Sequence, residues 1–195
     1  MSAIAAAAAN PSASDMSEPS WPARLTADDF SLFQLPRQFA LVREDLDARW
    51  KALQREAHPD RFAAEGQAAQ RVAMQWSVRI NEAYQRLKDP LRRAAYLCEL
   101  AGVPIDAERN TAMPTAFLQQ QMAWREQLEE AQTEDELLQL HDAVRQARVA
   151  GEAQLHACLD TTPDVARAAQ EVRALMFVAR FAQEVERRLD ALAGA

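Results

Sequence analysis

Apolar residues recur at helical spacing along most of the chain. Val42, Leu46, Trp50, Leu53 and Ala57 follow at steps of 4, 4, 3 and 4, one face of a helix over Leu41 to Ala57. Lys51 and Arg55 fall on the opposite side. His58-Pro59-Asp60 comes next, and Pro59 disfavours the α conformation at His58, so the helix stops there. Ala69, Val72, Trp76, Ile80, Ala83 and Leu87, at steps of 3, 4, 4, 3 and 4, predict a second long helix over Gly66 to Lys88. A loop of about eight residues returns the two helices only as an antiparallel pair. Shorter helices flank them. Thr26-Ala27-Asp28-Asp29 caps one that runs to about Gln34 and ends before Pro36. Asp89-Pro90 opens another over Leu91 to Ala101, with Gly102 as its C-cap.

Pro104 and Pro114 bracket a polar stretch without helical period, read as a linker over residues 103–113. Three longer helices follow, over Thr115–Gln132, Glu134–Leu159 and Pro163–Leu192. Thr133-Glu134-Asp135-Glu136 is a capping box, and Thr162-Pro163-Asp164 places Pro at a first helical position. Short connections make these an up-down-up bundle. Phe117, Trp124, Leu128 and Ala131 share one face of its first helix; Val165, Ala168, Val172, Leu175 and Ala182 share one face of its last. Leu118 and Met122 lie off the first face. Phe177 lies off the second, among Arg173, Arg180 and Glu184. These three are candidates for contact with a partner; the alternative is that Leu118 and Met122 touch the N-terminal helices and Phe177 is partly covered.

Composition agrees with an all-α chain. Val, Ile and Thr number only 19 of 195 residues, too few for a sheet protein. With 4 Gly there is no glycine-rich phosphate loop. Mean hydropathy is −0.36 and no apolar run has membrane-spanning length. Cys98 and Cys158 form no CxxC and read as core thiols of a reducing compartment. The net charge of −7 is unevenly spread: −3 over residues 1–29, +3 over 30–102 and −7 over 103–195. A +3 segment without a clustered stripe offers little to nucleic acid, but the contrast suits two modules with different partners. Residues 1–27, Ala-rich and then Pro/Ser-rich, with neither a secretory nor a mitochondrial pattern, read as a disordered tail of a cytoplasmic protein.

A His-Pro-Asp loop between two antiparallel amphipathic helices, after a helix with a basic outer face and beside Arg61, resembles the J domain, which stimulates the ATPase of DnaK-type chaperones. The resemblance narrows with Phe30-Ser31-Leu32-Phe33-Gln34-Leu35-Pro36, His58-Pro59-Asp60-Arg61-Phe62, Ile80-Asn81-Glu82-Ala83-Tyr84 and Pro90-Leu91-Arg92-Arg93-Ala94-Ala95-Tyr96-Leu97. Together with Thr115-Ala116-Phe117-Leu118, Trp124-Arg125-Glu126 and Leu128, these are similar to the HscB-type J-proteins of iron–sulfur cluster assembly, over about residues 28–192.

The resemblance implies an N-terminal J domain over 28–102, an antiparallel helical hairpin with short helices, and a scaffold-binding three-helix bundle over 114–193. It implies two protein partners and no cofactor, metal, nucleic acid or membrane. One partner is an HscA/DnaK-type ATPase chaperone, met by His58, Pro59 and Asp60 with Lys51, Arg55 and Arg61. The other is the scaffold protein IscU, held by Leu118, Met122, Glu126 and Phe177. Gln119 and Ala123 depart from the family pattern beside that patch, and Ala57 replaces an aromatic residue often found before His-Pro-Asp. A J-domain adaptor with a different client remains the alternative. A catalytic His58–Asp60 dyad has no nucleophile near it in sequence. A metal site from His58, His141, His156 and Cys158 fails on spacing.

Overall fold

The computed structural model describes residues 26–106 and 113–193; the expected tail up to residue 25 and linker residues 107–112 lie outside them. Among the described residues every regular element is helical: α1 (Asp29–Leu32), α2 (Arg43–Glu56), a 3-10 helix (Pro59–Glu65), α3 (Gln67–Lys88), α4 (Pro90–Leu100), α5 (Thr115–Glu130), α6 (Glu134–His156), one π turn (Ala157–Thr161) and α7 (Val165–Ala193).

Local chemistry sets the ends of these helices. The Asp28 carboxylate accepts the Phe30 and Ser31 amides, both at 3.1 Å, and starts α1. Burial pushes that carboxyl up, but hydrogen bonds from Arg37 and Ser31 outweigh it and bring it down to about 2. Asp89 caps α4 through the Arg92 amide at 2.9 Å, with Pro90 at the first helical position. Gly102, at φ +80°, ends α4 in a Schellman motif: its amide reaches Glu99 and the Val103 amide reaches Cys98, both at 2.9 Å. The Thr133–Glu136 capping box forms as expected. The last helix differs. Asp164 accepts the Arg167 amide at 3.0 Å, and α7 begins at Val165 rather than Pro163.

Two apolar cores organise the helices. One joins Phe30, Leu32 and Phe33 to Leu46, Leu53 and Ala57 of the α2 side and to Ile80, Ala83 and Leu87 of α3. Two residues expected on these faces, Val42 and Val72, are exposed instead. Val42 precedes the first turn of α2, and Val72 lies near the N-terminal end of α3, where the 3-10 segment is its neighbour and Ala73 is the residue buried.

The second core runs through α5, α6 and α7, with Trp124, Leu140, Val144, Leu155, Val172, Leu175 and Phe181. It also takes in Phe39, Ala94, Cys98 and Ile105. Helix α4 thus contributes Ala94 and Cys98 to this core while Tyr96 packs on the first and Leu97 on both. Three polar contacts reinforce the junction. Asp160 of the π turn accepts the Phe39 and Ala40 amides at 2.7 and 2.8 Å. The Arg93 guanidinium lies 5.1 Å from the Phe39 ring centroid. Arg173, expected on the polar side of the last helix, is buried and donates to the Ile105 carbonyl at 3.1 Å. The start of the expected linker is therefore pinned into the second core, because a buried guanidinium needs an acceptor. Cys98 and Cys158 are free, buried thiols, and burial pushes Cys98 up to about 11.

Helix α6 meets α7 closely at Gly151. A Cβ placed there would stand 2.6 Å from Leu175 Cδ2 and 2.8 Å from Glu171 Oε1. Leu175 is itself buried and has little room to yield. We expect Gly151→Val to destabilise the chain by about 2 kcal/mol through overpacking. Urea unfolding checks this, and a stability equal to the parent would show that the two helices separate freely.

Candidate functional site

The His58-Pro59-Asp60 turn stands at the tip of the α2–α3 hairpin. Helix α2 ends at Glu56, and His58 is extended at φ −64° and ψ 128°, as expected before proline. The connection is a 3-10 helix with Pro59 at its start, a more regular structure than the loop read from sequence. The Asp60 amide donates to His58 Nδ1 at 3.3 Å, and the Arg61 amide donates to the His58 carbonyl at 3.0 Å. In the first of these bonds the His58 side chain caps the 3-10 helix. Both side chains remain open to solvent, at 58% exposure for His58 and 89% for Asp60, with 3.6 Å between Nδ1 and the carboxylate.

Lys51 and Arg55 are exposed on the outer side of α2, and Arg61 is exposed beyond the turn. Arg55 Nε donates to the Lys51 carbonyl at 3.3 Å, so its cation stays on that surface. Arg49, by contrast, turns inward and donates to the Phe33 carbonyl at 3.0 Å.

A set of polar side chains links α2 to α3, and sequence reasoning missed it. Tyr84 donates to Asp47 at 2.9 Å and accepts from Arg43 at 3.1 Å. Asn81 Oδ1 accepts from Trp50 Nε1 at 2.9 Å and from Gln54 Nε2 at 2.7 Å. Gln54 also reaches the Ser77 carbonyl at 3.1 Å, and the Ser77 hydroxyl donates to the Ala57 carbonyl at 3.2 Å. The signal was a polar stripe bordering the apolar face, at positions 43, 47 and 54 of α2 beside Trp50 and Ala57, and at 77, 81 and 84 of α3.

On the bundle, Leu118 and Met122 are 43% and 71% exposed. Glu126 is exposed one further turn along α5. The structure brings these three onto one face, at i, i+4 and i+8. Phe177 follows the second of its two readings, a partly covered ring. It is half-buried against the second core. Its ring meets Phe117 edge-on at 5.8 Å and stacks on Phe181 at 5.9 Å. Arg125 lies 5.7 Å above it. Phe177 therefore belongs to the ring stack that fixes α5 onto α7, because an aromatic ring gains more from such neighbours than from water.

Among the described residues, no group of three or more His, Cys, Asp or Glu is placed to hold a metal ion. None of the described helices is long and apolar enough to cross a membrane.

An exposed His-Pro-Asp turn on a helical hairpin, joined to a three-helix bundle, is the architecture of a J-protein co-chaperone. The comparisons make the class specific. Residues 113–186 match the family described as the HSCB C-terminal oligomerisation domain. A co-chaperone protein HscB homolog of Burkholderia thailandensis is 52% identical over 166 residues, 84% of this chain and 94% of the relative. The homolog of Bordetella avium is 47% identical over 163 residues, 83% of this chain and 97% of the relative. Among solved structures, chaperone HscB from Vibrio cholerae superposes with a TM-score of 0.73 at 38% identity, covering 85% of this chain and 99% of that one. Human co-chaperone protein HscB superposes at 0.75 with 26% identity, covering 86% and 83%. The chain belongs to the HscB co-chaperone family.

Proposed function

We propose that this chain stimulates the ATPase of a DnaK/HscA-type chaperone and delivers the iron–sulfur scaffold protein IscU to it in the cytoplasm. The observation that carries the reading is the exposed His58-Pro59-Asp60 turn beside a basic α2 surface, in a chain whose bundle presents Leu118 and Met122 to solvent. Lys51, Arg55 and Arg61 steer the hairpin onto an acidic strip of the chaperone. The rigid turn then binds the hydrolysis-competent conformation of the chaperone better than its resting one, which shifts that equilibrium without any chemistry in this chain.

The bundle holds the client. Leu118 and Met122 are the apolar contacts, and Glu126 pairs with a basic group of the scaffold. Phe177 supports the face from beneath through Phe117. The Asp160 bonds to Phe39 and Ala40 and the shared helix α4 favour one orientation between turn and client face, so that a held client arrives at a set position.

Fully burying an exposed Leu or Met is worth about 1.5–3 kcal/mol, and Leu118 and Met122 have 43% and 71% of their surface left to cover. The Leu118→Ala, Met122→Ala double variant is therefore expected to weaken scaffold binding about 10-fold or more. Its stability should stay within about 0.5 kcal/mol of the parent, since neither side chain is in a core. Isothermal calorimetry with IscU checks this. Unchanged affinity in the variant places the client elsewhere, and a parent chain that does not bind IscU favours a J-domain adaptor with another client.

A further inference from the structure

Two adjacent residues of α3 grip the two ends of the His58-Pro59-Asp60 turn. On its N-terminal side, the Ser77 hydroxyl donates to the carbonyl of Ala57, the residue immediately before His58. On its C-terminal side, the Trp76 ring packs edge-on against Phe62 at 6.0 Å. Ser77 is not isolated. Gln54 holds the Ser77 carbonyl and Asn81, and Asn81 holds Trp50, so the bond to Ala57 ends a polar ladder along one edge of the hairpin. Apolar packing alone lets two helices slide and roll by small amounts at little cost, because it is non-directional. Directed bonds between specific atoms do not, and a polar ladder of this kind sets register.

The turn's own side chains have no such anchor. His58 and Asp60 are mostly exposed, and the polar contacts of their side chains are with each other. Their direction in space therefore comes from the backbone that carries them, and the nearest lateral restraint on that backbone is the Ala57 carbonyl. The peptide plane of Ala57–His58 is rigid. Holding its oxygen fixes the azimuth of His58.

We propose that Ser77 is a positioning residue for chaperone stimulation: through its bond to the Ala57 carbonyl it sets the direction in which His58 and Asp60 leave the hairpin. The inference rests on the docking role given to the turn above. It separates two quantities. Encounter depends on the cations Lys51, Arg55 and Arg61, which Ser77 does not touch in this structure. The effect of the docked turn on the chaperone depends on its orientation. Ser77→Ala should therefore lower the maximal stimulated ATPase rate and leave the half-saturating concentration nearly unchanged. Ser77→Thr, which keeps the hydroxyl, should restore the rate.

The test uses the full chain as parent, Ser77→Ala and Ser77→Thr, titrated into an HscA-type chaperone with ATP. The Ala57 carbonyl carbon shift is read by NMR on each chain alone. Ser77→Ala is expected to lower maximal stimulation about threefold or more, the equilibrium weight of one net hydrogen bond. Half-saturation should stay within about twofold, and the Ala57 carbonyl shift should move. Ser77→Thr should match the parent in all three. The inference is overturned if the carbonyl shift moves and stimulation does not fall, or if the shift does not move at all. A parent chain that stimulates nothing overturns the docking reading instead, and the carbonyl shift still reports on Ser77.

Discussion

His58→Gln and Asp60→Asn are each expected to abolish stimulation of a DnaK-type ATPase and to leave the stability of the chain within about 0.5 kcal/mol of the parent. Both side chains are largely exposed and contact each other rather than either core. The turn is held by other atoms: Pro59 opens the 3-10 helix, Ser77 holds Ala57, and Trp76 packs on Phe62. Neither substitution removes any of these, and the one bond that His58→Gln takes from the turn, the Asp60 amide to Nδ1, is solvent-exposed. What each removes is a group presented to the partner. Glutamine lacks the imidazole ring, and asparagine lacks the charge of Asp60. Steady-state ATP turnover with each variant, alongside its thermal melt, checks the pair. Normal stimulation by either variant would remove the turn from the docking surface. A large fall in melting temperature would mean that the turn is structural.

Asp29→Ala should have the largest effect on stability, a loss of about 3 kcal/mol. Asp29 is fully buried. Its Oδ1 lies 2.6 Å from Arg79 Nη2 and its Oδ2 lies 2.8 Å from Arg86 Nη1. Its amide donates to the Tyr96 hydroxyl at 3.0 Å, and Arg86 lies 4.8 Å from the Tyr96 ring centroid. The carboxylate thus ties α1 to α3, while the Asp29 amide ties it to α4. Removing it leaves two guanidinium groups beside an apolar core with no counter-charge. Their side chains keep 29% and 43% exposure, so they can turn partly to water, which places the loss at the lower end of the range for broken buried pairs. Asp29→Asn should cost a similar amount, since a neutral amide restores the volume and not the charge. Chemical denaturation checks both, and a loss below about 1 kcal/mol would show that the arginines pair elsewhere.

The features legible in the sequence are the local ones. The periodicity of Leu46, Leu53, Ile80, Ala83 and Leu87 marked the buried faces of α2 and α3 because each of these helices turns one apolar stripe into the first core. The Thr133–Glu136 box and Pro90 marked helix starts because capping is a matter of a few neighbouring residues. The His-Pro-Asp turn was readable for the same reason. A wheel assigns one face to each helix, and α7 shows where that breaks down. It packs against α4, α5 and α6, so Arg173 and Phe177, on what reads as its polar side, are covered by Ile105 and Phe117. Arg173 finds its acceptor 68 residues away, beyond the reach of any local pattern. Asp29 reads as an ordinary acid in a helix first turn. The available clue was Arg79 and Arg86, seven residues apart on one side of α3. The proposed client face was half legible: Leu118 and Met122 are open, whereas Phe177 lies in the ring stack with Phe117 and Phe181.

The most direct test of the account is single-turnover ATP hydrolysis by an HscA-type chaperone, measured alone, with this chain, and with this chain plus IscU. The chain is expected to accelerate hydrolysis, IscU and the chain together to accelerate it further, and Leu118→Ala, Met122→Ala to remove only the further increment. A hydrolysis rate unchanged by the parent chain, with or without IscU, would contradict that expectation.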